Sequence, residues 1–415
     1  MDTSRYFWNE NKNPSARATN SSSGDGQTER PRFEPVRLGF VGIGLMGRAT
    51  LERMLELPTV VTALCDVDEE RLERAAQTVA AEPTRYRDYR ELCADPDVEA
   101  VVVSTPDHWH TEIAVEAMEH GKDVYVEKPL SLTIAGGRRL ADAAARLGRI
   151  VQTGSQQRSS HEFQQAVALV RSGVLGALTS IEVTLPPNNI EPPERVERED
   201  VPRHFDHNLW LGPAPWREYN SQLTHYNFRF MRDYSGGQMT NWGAHHLDIV
   251  QWALDKDASG PTAVEGHGEF HAHGPFDTAT TVDITYIYDG TLPVRCRTGT
   301  GPTGVEFRGS AGTLRVGRGR LEGEPATLVE HPIDPVSYGV RRSTNHYLDF
   351  LESVRTRNQP VAPAETGHRS ATVCHLGNIA VQLGRRLEWD PVTESFWDND
   401  EANRLRSRPQ REWRA

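Results

Sequence analysis

The chain has 415 residues, of which 37% are hydrophobic and 25% are charged, so it is expected to be a soluble globular protein with more than one core. Its formal net charge is −12, with Arg and Lys scattered, which argues against a nucleic acid or an anionic membrane as the main partner. No run of about 18 apolar residues is present, which excludes a spanning helix.

The N-terminal 35 residues are rich in Ser, Asn, Gly and Pro and contain no apolar signal core. We therefore expect residues 1–35 to be a disordered arm, although Tyr6, Phe7 and Trp8 leave open docking on a neighbouring subunit. The four cysteines are far apart and form no C-x-x-C pair, which indicates reduced thiols and a cytoplasmic location.

A glycine-rich motif follows the first predicted strand, which covers residues 36–41, and a helical pattern begins directly after it. This G-x-G-x-x-G arrangement of strand, tight turn and helix is typical of a dinucleotide site, because the turn and the helix amides meet the pyrophosphate. The expected cofactor-binding residues of this turn are Gly42, Ile43, Gly44, Leu45, Met46 and Gly47.

An acidic residue ends the second predicted strand, "TVVTALCDVD", at Asp66. Such an acid accepts hydrogen bonds from the adenosine ribose and repels a 2′-phosphate. The residues directly after it are Val67 and Asp68 rather than an arginine. The sequence therefore predicts NAD as the cofactor, in preference to NADP.

Two further apolar strands end in polar residues. The segment 98–106 ends in Ser104, Thr105 and Pro106, and "DVYVEKPLS" ends its apolar run at Glu127 and Lys128. Ligands of open parallel sheets bind outside the carboxyl ends of the strands, so these residues are expected to face the cofactor crevice. In the helix that starts at "DHWH", His110 is expected to contact the cofactor or the substrate.

The motifs "GIGLMG", "STPDHWH" and "EKP", in this order, closely resemble the Gfo/Idh/MocA family of oxidoreductases, over residues 36 to about 395. "SGGQMTNWGAHHLDIVQWAL" resembles the second signature of that family. The resemblance implies that Lys128 lies near the nicotinamide and the reacting sugar oxygen, with His245 completing the site. Asn241 stands where the family usually has aspartate, and an amide cannot take a proton.

The proton-transfer roles are assigned from side-chain chemistry. Histidine exchanges protons near neutral pH, whereas lysine needs burial or nearby positive charge to become a base. We therefore expect His245 to carry the proton and Lys128 to orient and polarise, with exchanged roles as the alternative. A purely structural ion pair between Lys128 and Glu127 is the competing interpretation.

The substrate is expected to contact residues beside the second signature. Arg229, Arg232 and Tyr234 lie in a long Pro- and Arg-rich passage, residues 186–235, that is suited to a cleft wall, although loop anchoring explains the arginines equally well. His246 follows His245 on a predicted helix and is either a substrate contact or a packed imidazole.

The predicted fold class is α/β: an N-terminal Rossmann domain (36–156), then an α+β domain (157–395) with an open, mostly antiparallel sheet, and a C-terminal tail (396–415). No metal is expected; His267, Glu269, His271 and His273 alternate along a strand, which is better explained as a polar sheet face.

Three functions are compatible with these residues. The first is an NAD-dependent dehydrogenase acting on a sugar or cyclitol hydroxyl. The second is a glycoside hydrolase, lyase or epimerase that retains NAD and works through a transient ketone. The third is a cofactor-binding regulatory protein without catalysis. The resemblance also implies a homodimer or homotetramer.

Overall fold

The computed structural model describes residues 33–330 and 333–413, so the expected N-terminal arm lies almost entirely outside the described residues. The described chain forms two β-sheets with helices packed on them. Within it, no helix has the length and apolar character needed to cross a membrane.

The first sheet is parallel throughout, with strand order β3-β2-β1-β4-β5-β6. Its central strands are fully buried, as expected for a sheet covered on both faces by helices. The strands are β1 (Val36–Val41), β2 (Thr59–Cys65), β3 (Thr84–Tyr86), β4 (Ala100–Val103), β5 (Asp123–Val126) and β6 (Val151–Thr153). The helices are α1 (Leu45–Met54), α2 (Glu69–Ala76), α3 (Tyr89–Ala94), α4 (Asp107–Glu119) and α5 (Ile134–Leu147).

The second sheet has nine strands in the order β13-β12-β11-β7-β10-β9-β8-β14-β15. Among the strand pairs described for this sheet, only β7/β10 is parallel and the others are antiparallel. Its strands are β7 (Leu178–Leu185), β8 (Ala263–Glu269), β9 (Thr281–Tyr288), β10 (Leu292–Thr298), β11 (Gly304–Gly309), β12 (Gly312–Gly317), β13 (Arg320–Glu324), β14 (Leu387–Asp390) and β15 (Ser395–Phe396). The expected Rossmann sheet and mostly antiparallel second sheet are both confirmed.

Helices of the C-terminal part connect the two sheets. They are α6 (His161–Arg171), α7 (His207–Leu211), α8 (Gln238–Asn241), α9 (Gly243–Ala253), α10 (Thr327–Glu330), α11 (His346–Thr356), α12 (Ala364–Leu383) and α13 (Asp400–Arg404). α9 and α12 pack on the second sheet, whereas α11 joins the core of the first sheet through Tyr347, Phe350 and Leu351. The segment expected as a tail after residue 395 contains α13.

The residues after α13 also contact the body of the protein. Arg411 donates hydrogen bonds to the carbonyl oxygens of Gly212 and Asn208, at 2.7 and 3.1 Å. The Trp413 ring lies edge-on to Trp109 of α4, with a centroid distance of 4.8 Å. This end of the chain therefore packs against the helix that follows β4.

Candidate active site

The glycine turn lies at the carboxyl end of β1. Gly42 has a φ of +83°, and its amide donates to the Cys65 carbonyl at 2.9 Å. A side chain at Gly42 would meet the Thr105 amide nitrogen at 2.8 Å, and a Cβ at Gly47 would clash with the Gly42 carbonyl oxygen. These close approaches explain why the first and third glycines are required for the turn to close against α1.

Asp66 is buried at the end of β2, next to this turn. Its Oδ2 accepts a hydrogen bond from the Ile43 amide at 2.6 Å, and its Oδ1 accepts one from the Asp68 amide at 2.9 Å. Burial raises the pKa of Asp66, and the two backbone donors oppose that rise. Asp66 thus ties the glycine turn to β2 while lining the cavity.

Four arginines that were not predicted from the sequence line the same cavity as Asp66. Two of them, Arg71 and Arg74, come from α2, and the others are Arg48 and Arg87. Arg71 forms an ion pair with Asp68 at 3.2 Å. The signal for Arg71 and Arg74 was their position on the helix after Asp66, beyond the two residues that follow Asp66 directly.

The floor of the crevice comes from the end of β4. Ser104, Thr105 and Pro106 line the cavity, and the hydroxyl oxygens of Ser104 and Thr105 are buried without a hydrogen-bond partner among the described residues. His110 also lines it, with ring nitrogens 2.7 Å from the Pro129 carbonyl and 2.9 Å from the Thr105 carbonyl. His110 therefore holds the β4 end against the turn after β5.

Glu127 and Lys128 stand at the carboxyl end of β5, where the Glu127 amide pairs with the Val103 carbonyl at 2.9 Å. Lys128 Nζ donates to the Asn241 Oδ1 at 3.0 Å and to the Asn241 carbonyl at 3.1 Å. The Asn241 Nδ2 donates to Gln238 at 3.1 Å, which turns Oδ1 toward the lysine. No ion pair joins Glu127 and Lys128 in the described structure, so the competing structural interpretation is not supported.

Burial shifts the pKa values of Glu127 and Lys128 in the direction that favours the neutral form of each side chain. It raises the pKa of Glu127 to about 7, against the opposing effect of Lys128. It lowers the pKa of Lys128 to about 8, against the opposing effect of Glu127 and with a further lowering by Arg229. A lysine with this pKa exchanges its proton close to neutral pH.

The two histidines of the second signature lie on α9 behind this lysine and do not line the cavity. Burial, followed by Arg318 and Lys128, lowers the pKa of His245 well below its ordinary range. Burial and Arg318 lower the pKa of His246 to about 3, and its ring stacks on Trp242 at 5.8 Å. Both imidazoles are therefore neutral around pH 7.

The helix expected over the second signature is interrupted at Trp242, between α8 and α9. Asn241 consequently faces Lys128, whereas Asp248 lies within 2.8 Å of Arg158 in a buried ion pair. The i, i+4, i+7 spacing of Asn241, His245 and Asp248 predicts that they share one face of a helix. That prediction is wrong, because Asp248 is paired with Arg158 in the interior and does not line the cavity.

The long passage before α8 supplies the opposite wall. Arg229 lines the cavity and stacks on the Tyr226 and Phe228 rings at 4.5 and 4.6 Å. Arg232 instead pairs with Asp277 at 3.2 Å and faces a separate cleft of about 630 Å³. Tyr234 is buried among Trp210 and other rings, away from the cavity. Of the three residues, only Arg229 reaches the crevice.

A buried contact behind this wall was also missed. Ser235 Oγ donates to Asp107 Oδ2 at 2.6 Å, and both residues line the cavity. Burial raises the pKa of Asp107. The sequence offered little signal here, because the two residues are 128 positions apart.

The cavity enclosed by these walls has a volume of about 450 Å³ and runs from Asp66 past the glycine turn to Lys128 and Asn241. Through residues 33–330 and 333–413, no cluster of three or more His, Cys, Asp or Glu side chains is placed to hold a metal ion. His271, one of the four alternating His and Glu residues considered above, has its Nδ1 3.6 Å from Glu191 Oε2.

This fold and this crevice define a dinucleotide-binding oxidoreductase. Residues 36–155 match the model described as "Oxidoreductase family, NAD-binding Rossmann fold", and residues 189–415 match the "Oxidoreductase family, C-terminal alpha/beta domain". The chain belongs to the Gfo/Idh/MocA oxidoreductase family, and it binds NAD through its N-terminal domain.

Among curated proteins, a "Glycosyl hydrolase family 109 protein" of Shewanella sp. (strain W3-18-1) is 33% identical over 157 residues, which is 36% of this chain. The match spans about a third (34%) of that relative's length. Among solved structures, the aldose-aldose oxidoreductase of Caulobacter crescentus has a TM-score of 0.66 and 17% identity, covering 86% of this chain and 100% of that one. A levoglucosan dehydrogenase with NADH and levoglucosan has a TM-score of 0.63 and 18% identity, covering 86% and 99%.

Proposed function

We propose that this protein is an NAD-dependent dehydrogenase that acts on a hydroxyl or ketone of a carbohydrate or cyclitol. The observation that carries the proposal is the Lys128 ammonium, held by Asn241 at the end of the NAD crevice with its pKa lowered to about 8. A proton carrier at that position is what the oxidation of a carbinol requires.

The residues of the crevice fit NAD. Gly42 has no room for a side chain on the side of Thr105, which keeps the turn tight, and the lack of a side chain at Gly44 lets a pyrophosphate approach the backbone. The unpartnered hydroxyl oxygens of Ser104 and Thr105 offer polar contacts along the crevice, and the Asp66 carboxylate suits a ribose diol. When bound, the nicotinamide supplies the hydride acceptor or donor.

The chain's own residues would manage the proton. In the oxidation direction, neutral Lys128 takes the proton from the reacting hydroxyl, and in the reduction direction its ammonium returns that proton to the carbonyl oxygen. Asn241 positions Nζ through the 3.0 Å hydrogen bond. The roles first assigned are thereby exchanged, since His245 is buried, neutral and beyond the cavity lining. Its proposed contribution is a neutral ring near Lys128 that adds no further positive charge there.

The experiment follows the absorbance of reduced nicotinamide with purified protein, excess NAD and a panel of sugars, cyclitols and glycosides. Sustained growth of the reduced band with one compound class supports a dehydrogenase. NAD binding without any hydride transfer across sugars and cyclitols in either direction would count against it.

A second candidate is glycoside hydrolysis with retained NAD, which the glycosyl hydrolase family 109 relatives favour. Here the sugar is oxidised to a ketone, its glycosidic bond is cleaved, and the ketone is reduced again, so that no net redox change remains. The same assay separates the two candidates: release of an aglycone from a nitrophenyl glycoside, with no more than one equivalent of reduced cofactor per subunit, selects the hydrolase.

We also propose NAD over NADP, because a 2′-phosphate would have to approach the buried Asp66 carboxylate. We further propose that the protein forms a homodimer or homotetramer and that it is cytoplasmic. Size-exclusion chromatography with light scattering measures the oligomeric state directly.

A further inference from the structure

The guanidinium of Arg71 lies over the middle glycine of the turn. A Cβ placed on Gly44 would have Arg71 Nη1 at 3.0 Å, and no other atom of the described residues outside its two chain neighbours lies within 4 Å. Gly44 is the position at which a pyrophosphate approaches the backbone of such a turn. Both residues line the cavity of the candidate active site. Arg71 therefore stands on the open side of the glycine turn.

Two of the three guanidinium nitrogens of Arg71 are available to a ligand. Nε donates to Asp68 Oδ2 at 3.2 Å, whereas Nη1 and Nη2 make no hydrogen bond within residues 33–330 and 333–413. The Arg71 side chain is 25% exposed, so most of it is shielded from bulk water. The edge of the guanidinium that carries Nη1 and Nη2 keeps its donors for a group that enters the cavity.

Asp68 holds this arrangement in place. It is buried and caps α2, where its Oδ1 accepts hydrogen bonds from the Glu70 and Arg71 amides at 3.1 and 3.3 Å. Its Oδ2 receives the Arg71 Nε, so the carboxylate joins the backbone of the helix start to the guanidinium. A side chain anchored in this way loses less conformational entropy when a ligand binds.

The opposite wall of the crevice also holds the start of α2. The Glu69 amide donates to the His204 carbonyl at 2.8 Å, and the Asp206 amide donates to the Val67 carbonyl at 2.9 Å. His204 and Asp206 belong to the long passage 186–235 that forms this wall. Because of these contacts, the helix start cannot move away from the glycine turn without breaking hydrogen bonds to the second wall.

The glycine turn places no anion of its own against Arg71. α1 has no acidic residue in its first turn and no side-chain cap at Gly44, which lines the cavity, so the positive end of its dipole is open to a ligand. Both oxygens of Asp66 already accept hydrogen bonds, from the Ile43 and Asp68 amides. An anionic group between Arg71 and the start of α1 thus meets donors from two sides.

We propose that Arg71 binds the pyrophosphate of NAD and closes over it from the side opposite the α1 amides. The group recognised is a diphosphate, whose oxygens match the fork of a guanidinium. The position over Gly44 favours the pyrophosphate over a 2′-phosphate, which would lie at the ribose beside Asp66. The inference goes beyond the proposed function, because it concerns how the cofactor is held and applies to the dehydrogenase and to the hydrolase alike.

The test is isothermal titration calorimetry on the full chain freed of bound nucleotide. The probes are NAD and ADP-ribose, with adenosine as the counterpart that lacks both phosphates. Arg71→Met is expected to weaken NAD and ADP-ribose about tenfold or more and to leave adenosine within about twofold, because only the phosphates lose a charged donor. Arg71→Lys should retain part of the affinity, since it keeps the charge without the fork.

Arg85→Met is the matched control. Arg85 lies on β3 and donates through Nη2 to Glu82 at 3.1 Å, and it is not among the residues that line the cavity. Its replacement removes one positive charge from the same domain and should leave the affinities for all three probes unchanged. A loss of NAD affinity in this variant as large as in Arg71→Met would show that only the overall charge matters, and would overturn the proposal.

Three further outcomes would overturn it. The first is ADP-ribose affinity within about twofold of the unaltered protein in Arg71→Met. The second is an equal loss for adenosine, which would mean that Arg71 serves the adenine or only supports α2. The third is a larger loss for NADP than for NAD, which would assign Arg71 to a 2′-phosphate. The measurements concern binding alone, so their failure leaves the dehydrogenase proposal standing, and a failure of hydride transfer leaves the role of Arg71 standing.

Discussion

The two walls of the crevice are built differently. On the Rossmann wall, backbone hydrogen bonds of parallel strands place Asp66, Thr105 and Lys128 at the carboxyl ends of β2, β4 and β5. On the opposite wall, a long passage without strands places Arg229 by stacking it on aromatic rings. A strand end has one position relative to its neighbours, whereas a side chain in a packed loop can face either surface. Five substitutions probe this difference.

The largest effect is expected for Lys128→Met on the Rossmann wall. Removal of the proposed proton carrier should lower kcat/KM about 1,000-fold, with NAD affinity within a factor of about two. Steady-state kinetics and NADH fluorescence titration measure the two quantities. Lys256→Met removes a lysine whose partner is Asp289 at 2.6 Å and should leave both unchanged. Full turnover by Lys128→Met would dismiss its catalytic role.

Gly47→Ala tests how tightly the same wall is packed. The added Cβ clashes with the Gly42 carbonyl, so either α1 or the glycine turn must move. If NAD binding requires the undisplaced turn, a strain of about 1–3 kcal/mol lowers the NAD affinity by about 5- to 150-fold. The control is Gly260→Ala, where a Cβ meets nothing within 4 Å. Unaltered NAD affinity in Gly47→Ala would show that the turn tolerates displacement.

Asn241→Asp links the two walls through Lys128. A carboxylate about 3.0 Å from Nζ stabilises the ammonium and should raise the pKa of Lys128 from about 8 by one unit or more. Because oxidation needs the neutral amine, activity rises with pH through this pKa, so the variant should lose about tenfold at pH 7 and recover above pH 9. The pH profile of kcat/KM measures the shift, and Asn358→Asp on the surface should show none.

The smallest effect is expected for Arg232→Met, in contrast to Arg229→Met. Arg232 makes a partly exposed ion pair with Asp277 outside the crevice, so its loss should change KM less than about twofold. Arg229 lines the cavity, and its removal should raise the KM for NAD or sugar about tenfold or more. Equal effects of the two variants would mean that the second cleft takes part in turnover.

The positions of site residues could be predicted from the sequence where paired strands leave the backbone only one arrangement. The glycine turn, Asp66 and the EKP lysine follow strands whose register is determined by parallel pairing, so their convergence could be predicted. Arg318 could not be placed, because its approach to Trp242 depends on how the second sheet lies against α9. Periodicity alone also missed the break at Trp242, which separates Asn241 from the face of Asp248.

The protonation states of the site residues also could not be predicted from side-chain identity. His245 was the natural proton carrier from its ordinary pKa, and only its burial beside Arg318 shows that it stays neutral. Lys128 gains its lowered pKa from the same surroundings. The tertiary structure thus favours the exchanged roles of Lys128 and His245, which side-chain chemistry alone had left as the alternative.

The packing of the last described residues has a practical meaning for anyone preparing this protein. Trp109 lines the cavity of the candidate active site, donates from its indole nitrogen to the Trp210 carbonyl at 3.0 Å, and lies against Trp413. A truncation before Arg411 would expose the outer face of that indole and loosen one side of the cofactor crevice. Affinity tags are therefore better placed at the N-terminus, and shortened versions should be checked for cofactor binding before any kinetic comparison.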